Sequence, residues 1–421
     1  MAEAEGNGGP RQVAVIGAGI IGICCALYLQ RDGHQVTVLD PQPPGEGCSR
    51  GNSGIFALVH CVPDSTPGLV WQVPGMMLDP LGPLIVRPSY LLKALPWLLR
   101  FLAASRRGPF EAGFAALYAM TQHALVAYQP LVESAGAQDM VRKQGWLLVF
   151  ESDESFAKEK PYKVDMSSRA GIRLEVLDGK GARELEPALS PSIRHGVFYP
   201  EVAHSTDPFR FVQVLAEDFR RKGGTILAER VTGFEMGPRG PTAVHTEAGR
   251  HTPDSIVLAA GAYSKPLARM LGSRIPLDTE RGYHAMLPDP RVSLKVPVMS
   301  GDFHCALTPM AEGLRVGGSV EFAGVHAAPN YARVDKLVSV GHRVLPGLND
   351  AGHTRWMGCR PSLPDSLPVV SRSPRYPNVY FAFGHGQVGL TNGGITGKLI
   401  AELMAGRPTT IDTTPYRADR F

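Results

Sequence analysis

The sequence predicts an α/β fold on three observations: a wholly apolar run at Val13–Ile16, glycines at 17, 19 and 22 leading into a helical pattern, and later glycine-bounded apolar segments. Val13-Ala14-Val15-Ile16 has no polar face, as a parallel strand buried on both sides requires. Gly17, Gly19 and Gly22 follow as G-x-G-x-x-G. The first makes a tight turn, the second admits a pyrophosphate against the backbone, and the third lets helix and strand pack closely. Ile20 and Ile21 open the helix, whose N-terminus attracts an anion. Its apolar pattern runs to Leu29, with Gly33 at the expected end. Val36–Leu39 is the second strand and closes on Asp40, 21 residues after Gly19, where a carboxylate accepts from an adenosine ribose. These elements, in this order, predict a Rossmann-type dinucleotide site. A glycine-rich structural turn is the alternative, and the same glycines explain the uncharged stretch Val13–Leu29 better than a membrane span does.

Three further elements favour FAD over a nicotinamide cofactor. Ser49-Arg50-Gly51-Asn52-Ser53-Gly54 is a small-residue segment suited to close backbone contact, with Ser49, Asn52, Ser53 and Gly54 as its candidate ligands. Ile256–Ala260 is a buried strand ending at Gly261, where a backbone must come near something. Gly384-His385-Gly386-Gln387-Val388-Gly389-Leu390-Thr391 feeds a helix carrying Ile395, Leu399, Ile400 and Leu403, which stops near Gly406. A glycine loop at a helix N-terminus suits negative charge, here the pyrimidine edge of a reduced flavin. Each alone reads equally well as a bland turn; a nicotinamide-only site leaves all three unexplained.

Composition sets the remaining bounds. The chain has 421 residues, 44% apolar and 19% charged, which suits two or three domains with sizeable cores. Its 43 Lys and Arg against 39 Asp and Glu leave +4, too little and too scattered for a nucleic-acid surface. The six cysteines form no C-x-x-C pair and no metal-ligand spacing, so no metal is expected, and they read as thiols in a reducing compartment. Residues 1–10 read as a disordered lead-in without a secretory signal, and the expected location is cytoplasmic.

Over about residues 11–415 the chain resembles the D-amino-acid oxidase-like FAD oxidoreductases, and among them the bacterial D-amino-acid dehydrogenases. The resemblance rests on VAVIGAGIIG, CSRGNSG, the segment from Pro74 to Leu102, RGYH, RVGGSVEF, GCRPSLPDSLPVVS and FGHGQVGLTNGGITGKLIAELMAG. Gly51-Asn52-Ser53-Gly54 departs from the Ala-Asn-Ala-Gly common in the dehydrogenases. The resemblance implies a non-covalent FAD domain assembled from residues 11–60, 190–268 and 355–415. An α+β substrate domain with an antiparallel sheet would come from 61–189 and 269–354. It also implies that the backbone of Val231 faces the adenine. Within this plan residues 145–150, 195–200 and 225–231 read as strands, 152–170 as a polar helix, and Asp207 as N-cap of a helix reaching Gly223.

An amino-acid substrate needs its carboxylate gripped and its Cα–H aimed at flavin, and a planar arginine fork suits the grip. The resemblance puts that arginine at Arg360; a surface ion pair is the alternative. Tyr283 offers a phenol to the carboxylate or is a half-buried strand residue, and Arg281 approaches flavin or structures its loop. His304, read on a strand over 302–306, faces the substrate amine or is an ordinary histidine, as are His60 and His385. With no charged receptor evident, the expected reaction is oxidation of a D-amino or cyclic imino acid such as D-alanine, D-proline or 4-hydroxy-D-proline. The acceptor would be a quinone, a dye or oxygen. The alternatives are an oxygen-using oxidase of glycine or N-methyl amino acids and a non-catalytic flavin module. Tyr90–Arg107 carries Leu91, Leu95, Leu98 and Leu102 at helical spacing with four cations. It reads as a core-packing helix pair broken at Pro96, or as a basic amphipathic segment lying on the inner face of a membrane.

Overall fold

The computed structural model describes residues 9–68 and 84–421. Most of the lead-in expectation, residues 1–8, and residues 74–83 of the segment quoted above lie outside the described residues. The first sheet has six strands in the order Thr225–Leu227, Gln35–Leu39, Gln12–Ile16, Ser255–Leu258, Val379–Phe383 and Val369–Arg372. The first five run parallel and the last is antiparallel. Both faces are covered, which is why Val13–Ile16 carries no polar side. Val13 and Val15 join the core beneath helices Ile20–Arg31, Pro208–Arg221 and Gly389–Ala405. Ala14 and Ile16 point the other way, toward Leu267 and Leu271 and the three-stranded sheet of residues 231–251. The helices Ile20–Arg31 and Gly389–Ala405 meet backbone to backbone: a Cβ on Gly397 would lie 2.5 Å from the carbonyl oxygen of Cys24.

The second sheet has nine strands and is largely antiparallel. Its path is Thr354–Ser362, Asp278–Leu287, Gly313–Phe322, Cys305–Met310, Val298–Ser300, Trp146–Phe150, His195–Tyr199 and Glu175–Asp178, with Leu84–Val86 pairing Gly313–Phe322. Helix Ala332–Val344 packs Val334, Leu337 and Val338 against it.

Several expected placements differ. His195–Tyr199 and, from residue 355 on, strand Thr354–Ser362 are expected in the FAD unit but are hydrogen-bonded into the larger sheet, Tyr199 opposite Trp146 and Arg360 opposite Glu280. Conversely, helices Arg107–Gln122 and Ala124–Ala135, assigned to the substrate unit, bury Leu117, Met120, Tyr128 and Leu131 in the core of the parallel sheet. Strand content is local, but pairing partners are set by distant sequence. The run 225–231 splits, and Val231–Gly237 joins the three-stranded sheet. Asp207 does cap its helix, accepting from the Arg210 N–H at 2.8 Å. Helix Leu91–Ala104 continues through Pro96 unbroken. The carbonyl that loses its donor there belongs to Leu92, which is 84% exposed, so water can satisfy it.

Candidate active site

A cavity of about 810 Å³ runs between the two sheets, within the size usual for cofactor and ligand sites. At one end, Gly17 turns with φ 114, and a Cβ there would meet the Ala259 carbonyl oxygen at 2.4 Å. A Cβ on Gly22 would meet the Gly17 oxygen at 1.9 Å, so only glycine permits this strand-to-helix turn. Gly19 has nothing nearer than Ser49 Oγ at 3.7 Å and leaves the backbone open to the cavity. The Asp40 carboxylate accepts from the N–H groups of Ala18 (2.8 Å) and Gln42 (2.9 Å), pinning the glycine loop while it lines the cavity. Burial pushes its pKa up, against the pull of those two donors. Ser49 Oγ accepts from Ile20 N–H at 3.1 Å, and Ile21, Asn52, Ser53, Val231 and Gly261 also line the cavity.

Gly54 and Thr391 do structural work just outside this lining. Gly54 (φ 75) lies against the Ser205 carbonyl, and Thr391 Oγ1 accepts from Ala57 N–H at 3.0 Å. Gly384 (φ 86) and Gly386 (φ 51) shape the C-terminal loop, and Gly386 N–H donates to Pro361 at 2.7 Å. His385, Gln387, Gly389 and Leu390 then face the cavity at the start of the helix. His385 is buried against Thr396 at 2.9 Å, and burial lowers its pKa to about 3, so it is neutral. Glycine-permitted backbone approach, an open helix N-terminus and neutral surroundings suit a dinucleotide with a planar ring system.

The other end of the cavity is built on strands Asp278–Leu287 and Thr354–Ser362. Their shared face carries Glu280, Gly282 and His284 opposite Arg360, Gly358 and Trp356. The paired glycines make room for their neighbours: Trp356 lies over Gly358, and Arg360 over Gly282. Arg360 lines the cavity and donates one N–H to the Ser319 carbonyl at 3.0 Å. Among the described residues it has no carboxylate within 4.0 Å. His284 stacks on Trp356 at 4.9 Å, and burial lowers its pKa to about 3. Glu280, donated to by Ser362 at 2.6 Å, is pushed up to about 7, chiefly by burial and then by Asp64.

Tyr283 lines the cavity, but its hydroxyl donates to Glu321 at 2.5 Å and accepts from Asn330 N–H. Arg281 is fully buried away from the lining, bonded to Glu321 (3.2 Å) and to the Ala327 carbonyl (2.5 Å). His304 reaches the cavity from a turn with φ 49, ahead of strand Cys305–Met310 and not within a strand. His60 lines it too, 3.6 Å from Asp64. Cys359 lines it as well, its carbonyl accepting from the Cys48 thiol, whose pKa burial pushes up to about 12.

Sequence reading missed Trp146, Trp356, His284 and Arg315, which all face the cavity. Alternation along strand 354–362 was the available signal for Trp356, two residues before Gly358 and four before Arg360. Lys163 and Glu159 also line the cavity, so its walls are not wholly neutral as expected.

A family model described as FAD dependent oxidoreductase matches residues 12–403. The chain is 35% identical over 418 residues to a D-amino-acid oxidase of Bradyrhizobium diazoefficiens, covering 98% of this chain and 99% of that one. It is 30% identical over 419 residues to a D-amino acid dehydrogenase of Allorhizobium ampelinum, covering 97% and 98%. Among solved structures, glycine oxidase from Geobacillus kaustophilus superposes with TM-score 0.75 at 18% identity, covering 98% and 99%. L-proline dehydrogenase from P. horikoshii superposes with TM-score 0.75 at 19% identity, covering 98% of each chain. At those identities the structures share the fold.

Proposed function

The chain belongs to the FAD dependent oxidoreductase family, and on that premise we propose that it oxidises D-amino acids or cyclic imino acids at the Cα–N bond. Bound FAD supplies the two-electron oxidant, held by the Gly17–Gly22 turn, Asp40, the 49–53 segment and the 385–390 loop. The imine released from a primary amine hydrolyses to a 2-oxo acid, and a cyclic one persists. The observation that carries the reading is Arg360: a cation facing the cavity, fixed by a neighbouring carbonyl, with most of its fork unspent. A planar guanidinium in that state matches a carboxylate with paired hydrogen bonds. The D configuration follows the two curated relatives.

Trp146, Leu148, Met299 and Trp356 supply apolar walls for a small or cyclic side chain of the D-alanine, D-proline or 4-hydroxy-D-proline type. His304, on the cavity wall with Lys163 and Glu159, is the group we assign to accept the substrate ammonium proton. Tyr283 and Arg281 we assign to holding the sheet through Glu321 and not to the reaction. Anaerobic loss of the visible flavin band on adding D- but not L-amino acids is the test.

We further propose that electrons pass to a membrane quinone and that helix Leu91–Ala104 rests on the lipid surface. Among the described residues no helix is long and apolar enough to cross a membrane. The support is an exposed stripe of Leu92 (84%), Leu95 (44%) and Leu99 (58%), with Lys93, Arg100, Arg106 and Arg107 beside it and no acid from 91 to 110. Trp97 anchors the opposite face, donating to the Ser362 carbonyl and stacking on Phe101.

A further inference from the structure

Strands Thr354–Ser362, Asp278–Leu287 and Gly313–Phe322 stand side by side in the larger sheet. The register between the last two breaks once: Arg281 pairs with Glu321 and Tyr283 with Gly318, so Gly282 alone faces both Ser319 and Val320. An extra residue of this kind is a β-bulge, which re-aims backbone groups beside functional sites. Ser319 occupies it with φ 65, a left-handed conformation that usually calls for glycine. Its carbonyl oxygen accepts from Nη1 of Arg360 at 3.0 Å, across Gly282. Its hydroxyl accepts from Nη1 of Arg333 at 2.7 Å. Arg333 is buried at the start of helix Ala332–Val344, with Nε 3.7 Å from the Glu321 carboxylate.

We infer that Ser319 is a positioning residue for substrate recognition, an inference that rests on Arg360 as the carboxylate grip. The bulge turns the Ser319 carbonyl onto the guanidinium and fixes the plane of its fork. The Arg333–Glu321 pair holds the strained serine in the conformation that does so. A side-chain oxygen is required there, and glycine is not enough, because only such an oxygen lets the buried arginine lock the turn. The chain thus couples its grip to a charge cluster, Arg87, Arg281, Arg333 and Glu321, set back from the cavity wall.

The test uses FAD-loaded protein and the D-amino acid it oxidises fastest. Ser319→Gly removes the hydroxyl while easing the backbone, so the fold survives. It should raise KM roughly tenfold, equivalent to about 1.4 kcal/mol of binding, with a smaller change in kcat. Ser319→Asn, which tolerates the left-handed region and offers an oxygen to Arg333, should restore KM to within about threefold of wild type. Arg333→Gln should raise KM as Ser319→Gly does, and matched flavin content and Tm confirm folding. If Arg360→Ala raises KM steeply while Ser319→Gly leaves it unchanged, the positioning role is wrong and the grip stands. If Arg360→Ala also leaves KM unchanged, the grip itself fails, and this inference with it.

Discussion

Arg360 lies flat across Gly282 of the neighbouring strand: a Cβ at position 282 would stand 2.2 Å from its Nη2. The two residues are not a direct cross-strand pair; Gly282 faces Gly358, and the guanidinium reaches diagonally over it to Ser319. The absence of a side chain at one position therefore sets the direction of the charge at another.

Gly282→Ala should displace the Arg360 fork without unfolding the sheet, because the crowded atoms are the far end of a long side chain. The expected outcome is a ten- to hundredfold loss in kcat/KM, about 1.4–2.7 kcal/mol, with flavin content retained. Steady-state kinetics beside the flavin absorbance ratio checks both halves.

Replacing Arg360 itself should cost more. Arg360→Ala removes a charge-assisted pair worth about 3–4 kcal/mol, so kcat/KM should fall roughly 10²–10³-fold. Arg360→Lys should recover only part of it, since a point charge cannot reproduce a planar fork. Wild-type turnover in Arg360→Ala contradicts the assignment.

Stability should fall as pH drops below neutrality. Burial lowers the pKa of His204 to about 4 and of His284 and His385 to about 3. The unfolded chain, with histidine near 6.5, binds these protons first, so stability present above about pH 6.5 is lost as pH falls toward 4. Three such groups give a slope of up to roughly 4 kcal/mol per pH unit. Glu280, raised to about 7, opposes this between its unfolded value of 4.5 and 7, where its ionisation disfavours the fold. Urea unfolding at several pH values should show a midpoint that declines from pH 6.5 to 4. His385→Asn, if folded, should flatten the decline by about one proton.

The exposed leucines of helix Leu91–Ala104 should bind vesicles containing anionic phosphatidylserine and ignore purely zwitterionic ones. Leu92→Ser with Leu99→Ser should reduce co-sedimentation at least tenfold, since each buried leucine contributes about 1.5–3 kcal/mol. High salt should weaken binding as the four cations are screened. Equal recovery of wild type and variant in the supernatant contradicts the contact.

The dinucleotide half was legible because its signals are local. Val13–Ile16, Gly17, Gly22 and Asp40 lie within one strand–helix–strand unit; Gly22 meets Gly17 and Asp40 meets Ala18 and Gln42 there, whereas Val13–Ile16 also pairs with distant Ser255–Leu258 and Gly17 abuts Ala259. The resemblance points to Arg360, which lies on the cavity wall. What sequence did not reveal depends on partners far along the chain. Arg281 and Tyr283 look like site residues in RGYH, yet both are spent on Glu321, some forty residues away. The bulge at Ser319 is defined by pairing across to Gly282, which RVGGSVEF alone does not reveal. His304 was misplaced because Cys305–Met310 begins one residue later, after a turn that only its φ of 49 reveals. Pro96 suggested a break, but an exposed helix face tolerates the lost hydrogen bond.

The most direct test of the central claim is anaerobic: mix FAD-loaded protein with a panel of D- and L-amino acids and prolines, and follow the visible flavin absorbance. Small or cyclic D-substrates should bleach it, with L-enantiomers inert. A yellow protein that no member of the panel bleaches would contradict the claim.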